Sequence, residues 1–258
     1  MEETYIRENL EQIEKRIQAA CDRSHRRREE VLLIAVSKTK PASMVREAME
    51  AGIRDFGENK VQELCEKAAE IEDSSGQPVR NEAFSGQPET QAQLAGRPLN
   101  WHLIGHLQRN KVKYVVDRAC LIHSVDSLRL AEEIQKEAEK KDCHVDILIE
   151  VNIGDEESKS GIPKEEVAEL VKAVAGLFRV HIKGLMAIAP IVSEPEESRP
   201  YFREMARLRE EIGSMRLPGV EMRELSMGMT GDFEVAIEEG ATMVRVGTAI
   251  FGGRNYNR

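Results

Sequence analysis

The chain has 258 residues, a length that suits one large core and matches the usual size of a β/α barrel. Its hydrophobic fraction of 41% and charged fraction of 32% exclude a disordered or fibrous chain, and no apolar run nears membrane-span length. A formal charge of −9 argues against bulk attraction to nucleic acid or anionic lipid.

The opening segment, MEETYIRENLEQIEKRI, is acidic and amphipathic, lacks the pattern of a signal peptide, and predicts a cytoplasmic protein. Ile6, Leu10, Ile13, Ile17 and Cys21 fall at steps of three and four, the stripe of an extra N-terminal helix. The basic run from Arg23 to Arg28 that follows is expected to complement the end of this helix and stay solvated. Next, VLLIAVSK (31–38) reads as a strand covered on both faces, and Pro41 opens a helix that stops at Gly52.

The alternation then repeats. Strands are predicted at 54–59, 100–105, 120–126, 145–153, 181–189, 222–227 and 242–248, with helical stretches such as SLRLAEEIQKEAEKK and EESRPYFREMARLREEI between them. Together with the first strand they predict an α/β chain, a single parallel (β/α)8 TIM-type barrel over residues 1–258, with the open doubly wound sheet as the alternative. Residues 73–98 break the rhythm: Ser75-Gly76-Gln77-Pro78 returns as Ser85-Gly86-Gln87-Pro88, and the segment reads as a flexible insertion. Cys21, Cys65, Cys120 and Cys143 form no CxxC pair and read as free thiols of a reducing compartment.

Three groups of residues carry chemistry. Leu32, Ile34, Val36 and Lys38 share a face by alternation, so Lys38 is expected to project into the C-terminal mouth of the barrel. Burial there would lower its pKa and make its amine nucleophilic toward an aldehyde, with Lys40 as the rival. Ser226-Met227-Gly228-Met229-Thr230-Gly231 and Arg245-Val246-Gly247-Thr248 fall after the seventh and eighth strands, where phosphates commonly lie in this fold. Arg245 shares a face with Gly247, so its guanidinium needs an acceptor inside the barrel, either a protein carboxylate or a ligand ring nitrogen. Asn59 ends the second strand, where it could reach the mouth or cap a helix. His123 could line the site or rest in a hydrogen-bonded interior. His102 and His106 straddle a strand end without a zinc motif, so no metal site is expected.

Taken together, AVSKTKP, FGENKVQE, WHLIGHLQRNK, HSVD, KSG (159–161), GLM, LSMGMTGD and VRVGTAIFG resemble, in order, the pyridoxal phosphate homeostasis proteins. These are barrels similar to that of alanine racemase, and the likeness spans all but residues 73–98. The resemblance implies pyridoxal 5′-phosphate held as a Schiff base on Lys38. It further implies phosphate contacts from Ser226, Gly247 and Thr248, Arg245 near the pyridine nitrogen, and Asn59 beside the ring. It implies a carrier acting in cofactor supply, without catalytic turnover, as a monomer or weak dimer with cofactor-dependent apo-enzymes as recipients. The alternative is an amino-acid racemase. Its second acid–base group would normally be a tyrosine, yet Tyr5, Tyr114, Tyr201 and Tyr256 fall in helices or the tail. A Schiff-base aldolase fits less well, since Lys183 falls at the wrong end of its strand.

Overall fold

The computed structural model describes residues 5–75, 99–154 and 160–253. All strand pairings are parallel. They run β1 (Leu32–Val36), β2 (Asp55–Glu58), β3 (Asn100–Leu103), β4 (Ala119–Val125), β5 (Val145–Asn152), β6 (Ile162–Pro163), β7 (Val180–Ala187), β8 (Val220–Met229) and β9 (Met243–Val246). The sheet order is β4-β3-β2-β1-β9-β8-β7-β5, and pairing of β4 with β5 closes it. Two-residue β6 only extends β5 at its edge, so eight strands form the barrel and the open-sheet alternative is excluded.

Helices α1 (Tyr5–Arg23), α2 (Ala42–Glu50), α3 (Val61–Ser75), α4 (Leu128–Lys140), α5 (Val167–Val174), α6 (Arg199–Ser214), α7 (Phe233–Glu238) and α8 (Thr248–Phe251) surround it. Helix α1 buries the predicted stripe of Ile6, Leu10, Ile13, Ile17 and Cys21, and packs on α7, α8 and α2. The basic run after it does not simply stay in solvent. Arg26 Nη1 donates to the carbonyls of Ile237 and Ala241 at 2.8 and 2.7 Å, so it closes the end of α7 rather than its own helix. Arg28 pairs with Glu14, and Arg23 with Glu238.

Two apolar clusters divide the core. The larger lies between barrel and helices and contains Leu33, Ala35, Phe56, Trp101 and Leu185. The smaller fills the barrel itself with Leu32, Ile34, Leu121, Leu148, Met186 and Met243. Strand alternation is visible in the split, since Leu32 and Ile34 face inward while Leu33 and Ala35 face the helices. Two residues further along three of these strands the inward position becomes polar: His123 follows Leu121, Glu150 follows Leu148, and Arg245 follows Met243. The barrel therefore has an apolar floor and a polar layer toward its C-terminal mouth.

Several expected boundaries shift. The first strand stops at Val36, which leaves Lys38 in the turn beyond it. The last strand stops at Val246, and Thr248 opens α8. Helix α3 continues through Ser75, three residues into the segment read as an insertion, and residues 76–98 lie outside the described residues. All four cysteines are unpaired. No helix among the described residues is long and apolar enough to cross a membrane.

Candidate functional site

Lys38 sits in a turn held on both sides. Before it, the Ser37 hydroxyl donates to Glu58 Oε1 at 2.6 Å, and Lys67 Nζ donates to the Ser37 carbonyl at 2.7 Å. After it, Thr39 adopts the left-handed conformation with φ of 65°, and its backbone N–H donates to Glu63. Lys67 links the two carboxylates, at 2.7 Å from Glu58 and 2.8 Å from Glu63. Burial raises the Glu58 carboxyl above its usual range, although Lys67 opposes this. A non-glycine residue at positive φ is uncommon, and the bond from its N–H to Glu63, itself held by Lys67, maintains it. Lys40, the rival amine, donates to the Gly253 carbonyl at 2.8 Å, and burial lowers its pKa.

Register sets the rest of the mouth beside Lys38. Strand β1 pairs with β9, with Ile34 opposite Arg245 and Ala35 opposite Val246, so Gly247 and Thr248 emerge next to the Lys38 turn. A Cβ on Gly247 would lie 3.1 Å from the Val36 carbonyl, closer than most side chains tolerate. Thr248 is exposed at the rim, and Asn59 lies just past β2. Asn59 is seated against Gly105, where a Cβ would come within 2.5 Å of the Asn59 carbonyl oxygen.

Arg245 is buried, and its guanidinium reaches β8 and β7, the next two strands in the sheet order. Nη1 donates to Ser226 Oγ at 2.5 Å and Nη2 to the Ala187 carbonyl at 2.9 Å. Among the described residues no carboxylate makes the structural ion pair that the sequence left open, and two of the five N–H donors of the guanidinium are engaged in these bonds. Burial lowers its pKa to about 10, against the pull of Glu150 and Asp232, so it stays charged at neutral pH.

Ser226 joins Arg245 to a chain of rings. His123 Nδ1 lies 2.9 Å from Ser226 Oγ, His123 Nε2 lies 3.0 Å from His102 Nδ1, and His102 Nε2 lies 3.0 Å from Asp55 Oδ1. With both rings neutral, donation can run one way, from Arg245 through Ser226, His123 and His102 to Asp55. A second proton on His102 makes it donate at both nitrogens and turns His123 to donate to Ser226. Burial opposes that charge, but Cys120 and Asp55 push His102 up to about 10. Burial, and then the His102 and Arg245 charges, hold His123 well below its ordinary value and keep it neutral.

The structure therefore brings Lys38, Asn59, Gly247 and Thr248 to one mouth, with Arg245 and Ser226 beneath it. Ser226 is the residue from which a direct phosphate contact was expected. Its side chain is fully buried, and its hydroxyl is bonded to Arg245 and His123. His102, considered above only for metal binding, joins this chain, while His106 is exposed. Sequence reasoning also passed over Glu58, Lys67, Glu63, Asp55 and Glu150. Glu150 had a readable signal, as a carboxylate in the inward register of an otherwise apolar strand. The ion network had none, because its members come from β2 and α3 and only folding joins them. Lys183 bonds Glu221 at the N-terminal end of the barrel, far from the mouth. Tyr5 and Tyr201 lie in helices α1 and α6, and Tyr114 in a short helical turn; Tyr256 lies outside the described residues.

A closed parallel barrel with a lysine turn after its first strand and an arginine inside its last defines a class. The family described as "Alanine racemase, N-terminal domain" matches residues 8–255. A relative named pyridoxal phosphate homeostasis protein, from Aquifex aeolicus, is 43% identical over 96% of this chain and 98% of its own. One of the same name from Escherichia coli is 40% identical over 98% of each. The chain belongs to the pyridoxal phosphate homeostasis protein family. PipY of Synechococcus elongatus, solved with PLP bound, superposes with a TM-score of 0.76 at 34% identity, covering 96% of this chain and all of PipY. The alanine racemase of Clostridium difficile, at 13% identity and a TM-score of 0.64, shares the fold; the match covers 98% of this chain and 57% of that one.

Proposed function

We propose that this chain holds pyridoxal 5′-phosphate through a covalent bond between the Lys38 amine and the cofactor's aldehyde carbon. We take it to be a cytoplasmic carrier in cofactor supply, passing the cofactor to apo-enzymes without turnover of its own. The observation that carries the reading is Arg245, a buried cation with donors left over after Ser226 and Ala187, one strand from the Lys38 turn. Its surroundings fit a ligand that offers an aromatic acceptor and an anion. Bound there, the cofactor supplies a carbonyl that reacts reversibly with amines.

The family resemblance, together with the positions of these residues at the mouth, supports the other roles. Arg245 donates to the ring nitrogen, and because arginine keeps its proton it leaves that nitrogen unprotonated and the ring a weak electron sink. Gly247 and Thr248 hold the phosphate at the rim, and Asn59 flanks the ring. Ser226 acts through Arg245, whose guanidinium it anchors. A weak electron sink suits storage better than removal of an α-proton. The racemase reading retains one supporting feature, a titratable carboxyl on the strand opposite Lys38, Glu150.

Absorbance titration of wild-type, Lys38→Ala and Arg245→Met protein with the cofactor tests the proposal. Wild type is expected to develop a visible band, Lys38→Ala none, and Arg245→Met a weaker band at a shifted position. An identical band in wild type and Lys38→Ala would refute it.

A further inference from the structure

Glu150 has no part in the cofactor binding proposed above, yet it is a nearly buried carboxylate inside the barrel. It lies on β5, four strands from β1 around the closed order and hence directly across the barrel from Lys38. It follows Leu148 of the interior cluster by two residues, so its side chain enters the barrel, and it is 5% exposed. Among the described residues its carboxylate accepts no hydrogen bond and joins no ion pair. An enclosed carboxylate is costly unless donors meet it, and nearly all such groups in proteins are met.

The chain's own cation does not meet the need. Arg245 acts on Glu150 through space, but turns its two terminal nitrogens toward Ser226 and Ala187. Asp126, one residue past β4, adds a second negative charge near Glu150. The mouth is thus divided by sign. Lys38 and Arg245 make a cationic side at β1 and β9, and Asp126 and Glu150 an anionic side at β4 and β5.

Resting on the carrier reading, we propose that Glu150, supported by Asp126, is the recognition subsite for the ammonium group of a small primary amine. Primary amines are the compounds that can replace the Lys38 amine on the cofactor's aldehyde carbon. A subsite opposite that lysine would select them as they enter; once the ammonium has given a proton to solvent, its nitrogen would bond to that carbon and the Lys38 amine would leave as its own bond to the carbon breaks. The charged hydrogen bond from the ammonium would complete the coordination that the protein leaves open.

The test compares wild type with Glu150→Gln, which keeps the side chain's shape and removes its charge. Cofactor-loaded protein is mixed with increasing L-alanine or n-butylamine above the titration range of Glu150, and decay of the visible band is followed. Wild type should saturate, with Glu150→Gln needing about tenfold more amine, the loss of one charge-assisted bond. Saturation by both amines supports a subsite that reads the ammonium alone. Saturation by alanine only supports one that takes amino acids. In cofactor-free protein, n-butylammonium chloride should shift the Glu150 carboxyl carbon resonance, assigned by its absence in the variant.

Equal half-saturation in the two proteins, or a resonance that does not move, would overturn the proposal. So would a variant that loses only exchange of the alanine α-proton with solvent, since that would make Glu150 a racemase acid–base group. Failure of the carrier reading shows differently, as no borohydride-fixed adduct on Lys38 in either protein, and the cofactor-free titration still reports on Glu150.

Discussion

Arg245 Nη1 donates to Ser226 Oγ at 2.5 Å, and through that one hydroxyl the arginine is joined to the His123–His102–Asp55 chain across the barrel. The guanidinium is thereby fixed in direction before any ligand arrives. Fixed donors cost no reorganisation on binding, which is what a cofactor site requires of its polar groups.

Ser226→Ala removes the acceptor of Arg245 and the partner of His123 together. It is expected to cost about 1–3 kcal/mol in urea unfolding, the usual penalty for orphaned buried groups. Cofactor affinity should fall by roughly an order of magnitude, about 1.4 kcal/mol, in equilibrium dialysis, while the covalent bond to Lys38 still forms.

The His102 pair makes stability depend on alkaline pH. Its folded pKa, raised to about 10 from 6.5, means the folded state holds the proton more tightly. The stabilisation is complete below about pH 6.5 and is lost as pH rises toward 10. The unfolding free energy of wild type from urea melts should fall across that window, by a few kcal/mol (about 1.4 per pKa unit) in total, and that of His102→Gln should change less.

Glu150 acts in the opposite sense to an ordinary carboxylate. Burial, with Asp126 behind it, raises its carboxyl from 4.5 to about 7, so the folded state favours the neutral form. Stability contributed below pH 4.5 is then lost as pH rises to 7, by about 3 kcal/mol at most. Glu150→Gln should flatten this slope and exceed wild type in stability at pH 8. A parallel decline in both proteins would contradict the assignment.

The turn that carries Lys38 depends on Lys67. Lys67→Met leaves Glu58 buried without its cation, an expected loss of about 3–5 kcal/mol in denaturant melts. Glu58→Gln/Lys67→Met removes both charges and should recover much of that stability. It should still form the Lys38 adduct more slowly than wild type, because the Ser37 carbonyl no longer has its Lys67 anchor.

The barrel was legible because each strand is a short apolar run bounded by helical patterning, and the mouth because Lys38, Ser226 and Arg245 stand at strand ends. The split between Leu32 and Leu33, one inward and one toward the helices, follows from alternation alone. What alternation cannot supply is the partner of an inward polar group. Whether Arg245 meets a carboxylate or a hydroxyl depends on the stagger between β9 and β8, where the register shifts between Ser226 and Met229. The positive φ of Thr39 was hidden for a similar reason, since Glu63, which holds it, sits 24 positions along the chain. Arg26 was misread because its acceptors, Ile237 in α7 and Ala241 just beyond it, lie more than 200 residues away in sequence.

The central claim is that Lys38, and not Lys40, carries the cofactor. Protein loaded with pyridoxal 5′-phosphate, reduced with borohydride and digested, should give one pyridoxyl-modified peptide, with the modification on Lys38 by tandem mass spectrometry. Modification on Lys40 instead, or none under conditions where the visible band is present, would contradict the account.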